Sequence, residues 1–433
     1  MTVQELKKAV FDAIDNNRDK IISIGESIFR EPELGYKEFK TAKKVKSVFD
    51  EIGIEYEDEV AITGVIGTMK GKESKMKVAL MGELDAVVAP DHPFADPNTG
   101  AAHSCGHFAQ IAAMLGAAYG LRESGVMEHL SGDVSFMAVP AEEGVELEWR
   151  SEMIKQGKIS FLGGKQNFIK LGAFDDVDVM VMQHTACDGK MTICGPKAMG
   201  FVAKIIEYHG VECHAATPFK GVNALDAARI GLTACDAVRT TFKDEDSVRF
   251  HYVMTKGGNL VNVVPGFVQI EAQVRANSLE ALTDSSSRID RALKAGGDAL
   301  GARCEIKNIP GYIFPVVSEG LNEIAESNLR ELTDKEIYFA PTQCTTDAND
   351  VSNLIPTLHT MICGATGRAH SENYEITDPD TAYIVAAKFL AGAVVDLLAN
   401  GAEKGLDIKS KYNAPLTKES YLELFESIKN TNK

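Results

Sequence analysis

Cysteine is scarce. Eight residues in a chain of 433 make about 2%, well below the density of small secreted domains that depend on disulfides. Long apolar runs are missing too. None approaches the roughly 18 residues of a bilayer span, and the richest stretch, AYIVAAKFLAGAVVDLLA, carries Lys388 and Asp396. The opening residues MTVQELKKAVFDAIDNNRDK are charged and amphipathic, without the apolar segment of about 7–15 residues that an export signal requires. These absences predict a cytoplasmic protein whose thiols stay reduced, with no membrane partner. Positive charge is in deficit, with 45 Lys and Arg against 62 Asp and Glu and a net charge of −17; such a field repels nucleic acid and anionic lipid surfaces. Internal repeats and low-complexity tracts are also lacking, which sets aside fibrous and disordered classes.

What is there exceeds one hydrophobic core, since single cores stop growing near about 250–300 residues. Two domains are expected, with three as the upper figure. The first fifty residues read as two helices separated by a turn at Glu31-Pro32-Glu33-Leu34-Gly35. Strand-type segments at 77–84 (KVALMGEL), 134–140 (VSFMAVP) and 177–184 (VDVMVMQH) then alternate with helices, the order of an α/β sheet with parallel strands and ligands at their carboxyl ends. From about Pro196 the order becomes β-α-β-β-α-β, as in a small ferredoxin-like α+β domain. After about Gly311 the α/β pattern resumes, so the second domain is expected as an insertion into the first. The predicted division is 1–195, 196–310 and 311–433, and the tail from about Asn400 reads as a peripheral helix with a frayed end.

Five places can carry chemistry. In His103-Ser104-Cys105-Gly106-His107 a glycine separates a thiol from an imidazole, allowing a tight turn to aim both at one cation. Glu83 and Asp85 flank Leu84 at the end of a strand. They are either solvated strand-end charges or, for Asp85, the partner that orients a ligating imidazole. Glu142 and Glu143 directly follow a buried strand, where one could bind metal and its neighbour act as general base; the alternative is a solvated turn. His184 ends a strand-type segment and His370 follows one. Singly each reads as an ordinary histidine, but all these residues fall where strands of one sheet terminate. One thiolate, three imidazoles and a carboxylate are too many donors for one tetrahedral structural site. Two metals that polarise a carbonyl and activate water fit better, and point to amide hydrolysis.

The motifs GELDAVV, HSCGH, PAEEG, GVECHAATP, NVVP and HSENY, in that order, resemble the dinuclear-metal amidohydrolases and carboxypeptidases of the aminoacylase and carboxypeptidase-G superfamily. The branch most similar has a Cys-Gly-His ligand motif and includes indole-acetyl-amino-acid, hippurate and aminobenzoyl-glutamate hydrolases. The likeness covers nearly the whole chain, from REPELGYKEFKTA onward. It implies a metallopeptidase-type α/β catalytic domain of mixed or parallel sheet, with an inserted ferredoxin-like α+β dimerisation (lid) domain. It also implies two divalent metals per subunit, Zn or Mn with Co or Ni as alternatives, held by Cys105, His107, Glu143, His184 and His370. Glu142 would be the general base, Asp85 a support for a ligand, and His214 an oxyanion donor acting within the chain or across a homodimer. Asn262 and Arg275 would hold the free carboxylate of an N-acyl amino acid or dipeptide.

Three departures from the family pattern stand out. His184 is followed by Thr-Ala where relatives commonly have a nearby proline. The stretch 148–172 resembles the aminobenzoyl-glutamate hydrolase type, and the late glycine motif appears as GATG at 364–367. Two rival readings remain at this level: a cysteine hydrolase with Cys105 as nucleophile and His107 as base, and a catalytically silent metal-binding dimer. Apart from Cys105, the cysteines (187, 194, 213, 235, 304, 344 and 363) are expected to serve packing, with Cys213 and Cys344 nearest the motifs.

Overall fold

A computed structural model describes residues 1–195, 198–341 and 345–429; Cys344 lies outside the described residues. An eight-stranded mixed sheet organises the molecule, in the order Glu55–Val60, Gly64–Met69, Asp133–Val139, Lys77–Glu83, Val179–Ala186, Thr357–Cys363, Met191–Gly195, Ile337–Pro341. The four strands from Asp133–Val139 to Thr357–Cys363 run parallel. Most of their residues are buried, which accounts for their apolar runs: a parallel strand covered on both faces has no polar side to show. On one face the helix His107–Glu123, buried from His107 through Leu121, packs beneath Ala386–Leu398 and Val3–Asn16. On the other, Met81, Met137, Met180 and Met182 meet Phe161, Phe168, Tyr421 and Phe425. The helix Asp380–Leu398 is long and apolar enough to cross a membrane, yet 83% of its apolar window is buried inside the protein.

The β-α-β-β-α-β segment forms a separate antiparallel sheet ordered Arg249–Lys256, Phe267–Ala276, Gly200–His209, Arg303–Pro310. Its helices Ala224–Arg239 and Leu279–Leu300 cover one face around Val202, Ile206, Ile270, Val274 and Leu293. The opposite face sets Phe201, Ala203 and Ile205 against Leu147, Leu162 and Tyr312.

Several expectations need correction. The first fifty residues hold three helices, Val3–Asn16, Arg18–Phe29 and Phe39–Ile52, because Asn17 interrupts the first with φ −101 and ψ 9. Expected at a strand end, His184 lies inside Val179–Ala186. The hairpin Glu55–Val60 with Gly64–Met69 went unforeseen, since its first strand, EYEDEV, is largely exposed and charged. The tail is not peripheral: Glu403–Lys411 and Lys418–Lys429 are both helical, Tyr421 and Phe425 have no exposure, and the Tyr421 hydroxyl donates to Asp350 Oδ1 at 2.6 Å.

Tyr421→Ala should therefore lower unfolding free energy by about 3–5 kcal/mol, the usual cost of emptying a buried aromatic position. Urea denaturation measures it. A change within about 0.5 kcal/mol, typical of a surface position, would restore the peripheral tail.

Candidate metal centre

Three unusual backbone positions deliver the donor side chains. Gly106, just before His107–Glu123, has φ 102, and a Cβ there would lie 2.6 Å from the Tyr374 hydroxyl. Glycine alone fits. Ala141 and His370 adopt φ 54 and φ 61, conformations that cost about 1–3 kcal/mol in a non-glycine residue and cluster at functional sites. Ala141 immediately precedes Glu142, and the His370 N–H is pinned to the Ser104 carbonyl at 2.7 Å.

Cys105 Sγ lies 3.4 Å from His184 Nε2 and 3.4 Å from His370 Nε2. His370 Nε2 is 2.9 Å from Glu143 Oε1. The donor atoms fall into two sets, Cys105 with His107 and His184, and Cys105 with Glu143 and His370, each within 4.8 Å and sharing the one thiol. Glu142 joins His107 and Glu143 in a third set. The six residues come from four separate stretches of sequence, and the structure brings all of them together.

Second contacts fix the rings. His184 Nδ1 is 2.9 Å from the Thr185 carbonyl, and His107 Nδ1 is 2.9 Å from the Asp85 carbonyl and 3.2 Å from Asp85 Oδ1. A carbonyl only accepts, so both Nδ1 atoms carry hydrogen and the Nε2 lone pairs are left for a cation. Asp85 Oδ2 accepts the Glu143 N–H at 2.9 Å, so one buried carboxylate positions both an imidazole and a carboxylate.

Electrostatics favour a cation here. Burial, reinforced by the Glu143 charge, pushes the Cys105 thiol well up, and burial with Glu83, Glu143 and Asp347 beside it does the same to Glu142. Burial opposes charge on His107, but Glu83, Cys105 and Asp85 outweigh it and raise its pKa. Glu83 Oε2 and His107 Nε2, both buried, face each other at 3.1 Å, and neither has a further hydrogen-bond partner among the described residues. Thiolate, imidazole and carboxylate donors suit zinc or a neighbouring divalent metal.

Residues outside the metal motifs complete the centre. Lys165 is fully buried against Glu83 and Asp347. Glu38 accepts the Ala141 N–H at 2.8 Å and the Thr63 hydroxyl at 2.6 Å; burial and the Asp85 charge raise its pKa to about 8. Sequence reasoning missed both roles, and the one available signal was Lys165 directly following two glycines. The remaining expected residues come from the segment that carries the four-stranded sheet. His214 is exposed in the short strand Cys213–His214, which pairs with Val263–Val264, and the Asn262 carbonyl accepts from Ala215 N at 3.0 Å. Among the described residues, no hydrogen bond joins either residue to the cluster. Arg275 donates to Thr345 Oγ1 at 3.1 Å and to Gln273 Oε1 at 2.8 Å, linking the four-stranded sheet to the segment that leads to Asp347. The Cys213 thiol faces the Thr217 carbonyl at 3.5 Å.

Fold and centre together define a hydrolase of amide bonds built on a metallopeptidase fold. The chain belongs to Peptidase family M20/M25/M40, whose sequence profile matches residues 79–396. Among its relatives, IAA-amino acid hydrolase ILR1-like 2 of Arabidopsis thaliana is 26% identical over 89% of this chain and 87% of its own. Xaa-Arg dipeptidase of Mus musculus is 24% identical over 91% and 89%. Bacillus subtilis YXEP, a dinuclear metal binding peptidase from the M20 family, superposes with a TM-score of 0.67 at 22% identity, over 89% of this chain and 99% of that one. The aminobenzoyl-glutamate utilization protein of Klebsiella pneumoniae gives 0.66 at 17%, over 89% and 98%. At these identities the structural likeness is one of fold.

His103, 1% exposed with both ring nitrogens unpartnered, is pushed down to about 3 by burial and by the neighbouring His107. In the unfolded chain it would take a proton near pH 6.5, so its contribution to stability is present above that pH and is lost as pH falls toward 3. Urea unfolding at a series of pH values should show His103→Gln losing less stability across that window than the wild type. Parallel curves would refute the assignment.

Proposed function

We propose that the protein is a two-metal amidohydrolase that cleaves the amide bond of an N-acyl amino acid or dipeptide whose amine half carries a free carboxylate. The observation that carries this reading is the Cys105 thiol common to two donor sets, with Glu142 against one of them. Cys105, His107, Glu143, His184 and His370 would hold two divalent cations, Zn or Mn, with Co or Ni as substitutes. Such a pair polarises a substrate carbonyl and makes a nearby water more acidic. Glu142 takes a proton from the attacking water and returns it to the leaving amine. Its burial next to other carboxylates raises its proton affinity, which suits a group that must both accept and release a proton. Arg275 and Asn262 receive the substrate carboxylate, Arg through paired hydrogen bonds, and His214 steadies the oxyanion. Relatives named for IAA-amino acids, N-acetylcysteine and Xaa-Arg dipeptides support an amino-acid amide as substrate. A cysteine nucleophile is disfavoured because Cys105 Sγ is common to both donor sets, so the same sulfur would be engaged by the cations rather than free to attack.

The same reading divides the chain at 1–195, 196–310 and 311–433, with the middle part a lid that dimerises, and places the enzyme in the cytoplasm, where thiols stay reduced. The edge strand Arg249–Lys256 pairs on one side only and exposes Tyr252 and Val253. An open edge with apolar side chains invites pairing with a second copy.

Glu142→Gln should retain both metals by elemental analysis yet lose turnover by about 10²–10⁴-fold, the range of a general base. Chelation should abolish wild-type hydrolysis of N-acetyl amino acids, aminobenzoyl-glutamate or β-alanyl dipeptides, and Zn or Mn should restore it. Wild-type inertness toward all three classes would favour the silent scaffold, and activity surviving metal removal would favour the thiol mechanism. Separately, Tyr252→Asp combined with Val253→Asp should convert a dimer to a monomer in sedimentation velocity. An unchanged dimer would place the contact elsewhere.

A further inference from the structure

We propose that Lys165 is a positioning residue of the hydrolytic centre, holding Glu83 against His107 and Asp347 beside Glu142. The inference rests on the amidohydrolase reading above. Lys165 stands near the start of the helix Gly164–Leu171 with no solvent exposure. Its ammonium donates to Glu83 Oε1 at 2.5 Å and to Asp347 Oδ1 at 2.5 Å, and its main-chain N–H donates to Asp347 Oδ2 at 2.9 Å. Asp347 is thus gripped at both oxygens by one residue. Glu83 is gripped at one; its other oxygen, buried and without a hydrogen bond, lies 3.1 Å from His107 Nε2. Carboxylate oxygens of Glu83, Glu142 and Asp347 fall within 4.8 Å of one another.

The chemistry of the trio argues for a role beyond stability. A buried ion pair is seldom more stabilising than apolar residues of the same volume, and a pair needs one acid, whereas Lys165 holds two. Both are aimed at working parts: Glu83 at the nitrogen that His107 offers to a cation, Asp347 at the general base. Three buried carboxylates repel one another at this spacing. Without the ammonium, Glu83 and Asp347 would move apart or exchange partners, and His107 and Glu142 would lose their floor. Lys165 and Asp347 also belong to opposite flanks of the four-stranded sheet segment, so this contact fastens the two flanks together at the centre itself.

Lys165→Met, which keeps length and removes charge, tests this in the full chain reconstituted with Co²⁺. Expected are two bound metals, an unchanged far-ultraviolet spectrum, kcat lower by about 10–100-fold with KM within about threefold, and a shifted visible Co²⁺ absorption. Losses of that size are usual for groups that orient ligands. A merely structural Lys165 would lower the melting temperature and leave kcat and the Co²⁺ bands in place. Should Lys165→Met not fold, Glu83→Gln retains an acceptor for the ammonium and should give the same loss in kcat and the same spectral shift. A folded variant of either kind with wild-type kcat and spectrum overturns the proposal. An active Glu142→Gln would instead overturn the general base, and the Co²⁺ bands would still report on Lys165.

Discussion

Negative charge concentrated out of water is the constraint around which this molecule is arranged. Glu38, Glu83, Asp85, Glu142, Asp347 and Asp350 are all nearly inaccessible and lie within one connected region, with Lys165 and Arg150 as buried cations nearby. An isolated buried carboxylate is strongly unfavourable, so each must be answered by donors or cations. Two divalent ions would offset four of these charges. That balance links the candidate metal donors to the acids packed around them.

The donors that answer these acids come from distant parts of the chain, and the acids thereby act as staples. Glu38 joins the first helices to Ala141 and Thr63. Asp85 ties the end of one central strand to the start of a helix and to the turn after its neighbour. Asp350 collects Gln166, the Ile313 N–H and the Tyr421 hydroxyl, and burial sets its own pKa near 7. The C-terminal helix is therefore anchored in the same polar interior that serves the chemistry. Geometry at the centre is held by hydrogen bonds to backbone and side chains of several elements, a form of support that keeps donors from drifting when substrate or metal arrives.

How much of this was legible depended on whether a feature was local. The central strands carry continuous apolar runs, and the loops after them carry paired acids and a Cys-Gly-His turn, so the strands and the cluster of candidate donors could be read in order. Asp85 was readable because it sits two residues past a strand and its partner His107 opens the next helix. Lys165 was not, because both of its partners are distant and nothing about GGK distinguishes a buried clamp from a helix start. Glu55–Val60 was invisible because its pairing, rather than its composition, makes it a strand. The tail misled for the converse reason: a lysine- and glutamate-rich helix surface hides Tyr421 and Phe425, whose burial depends on a pocket assembled elsewhere. His214 and Asn262 were legible as motif positions, while how the two sheets are set against one another is something no local pattern encodes.

The strand order carries a consequence for synthesis. Thr357–Cys363 lies between Val179–Ala186 and Met191–Gly195, although about 165 residues separate it in sequence from those neighbours. A ribosome adding about 5–20 residues per second would leave the first half-sheet waiting roughly ten to thirty seconds for its missing member. During that interval the edge of Val179–Ala186 is open and Glu83 and Lys165 lack Asp347, while the four-stranded sheet, whose strands all fall between, has time to fold first. The enzyme's centre is thus among the last parts to become whole, and a nascent chain stalled before residue 347 would carry an exposed strand edge where the finished protein carries a metal site.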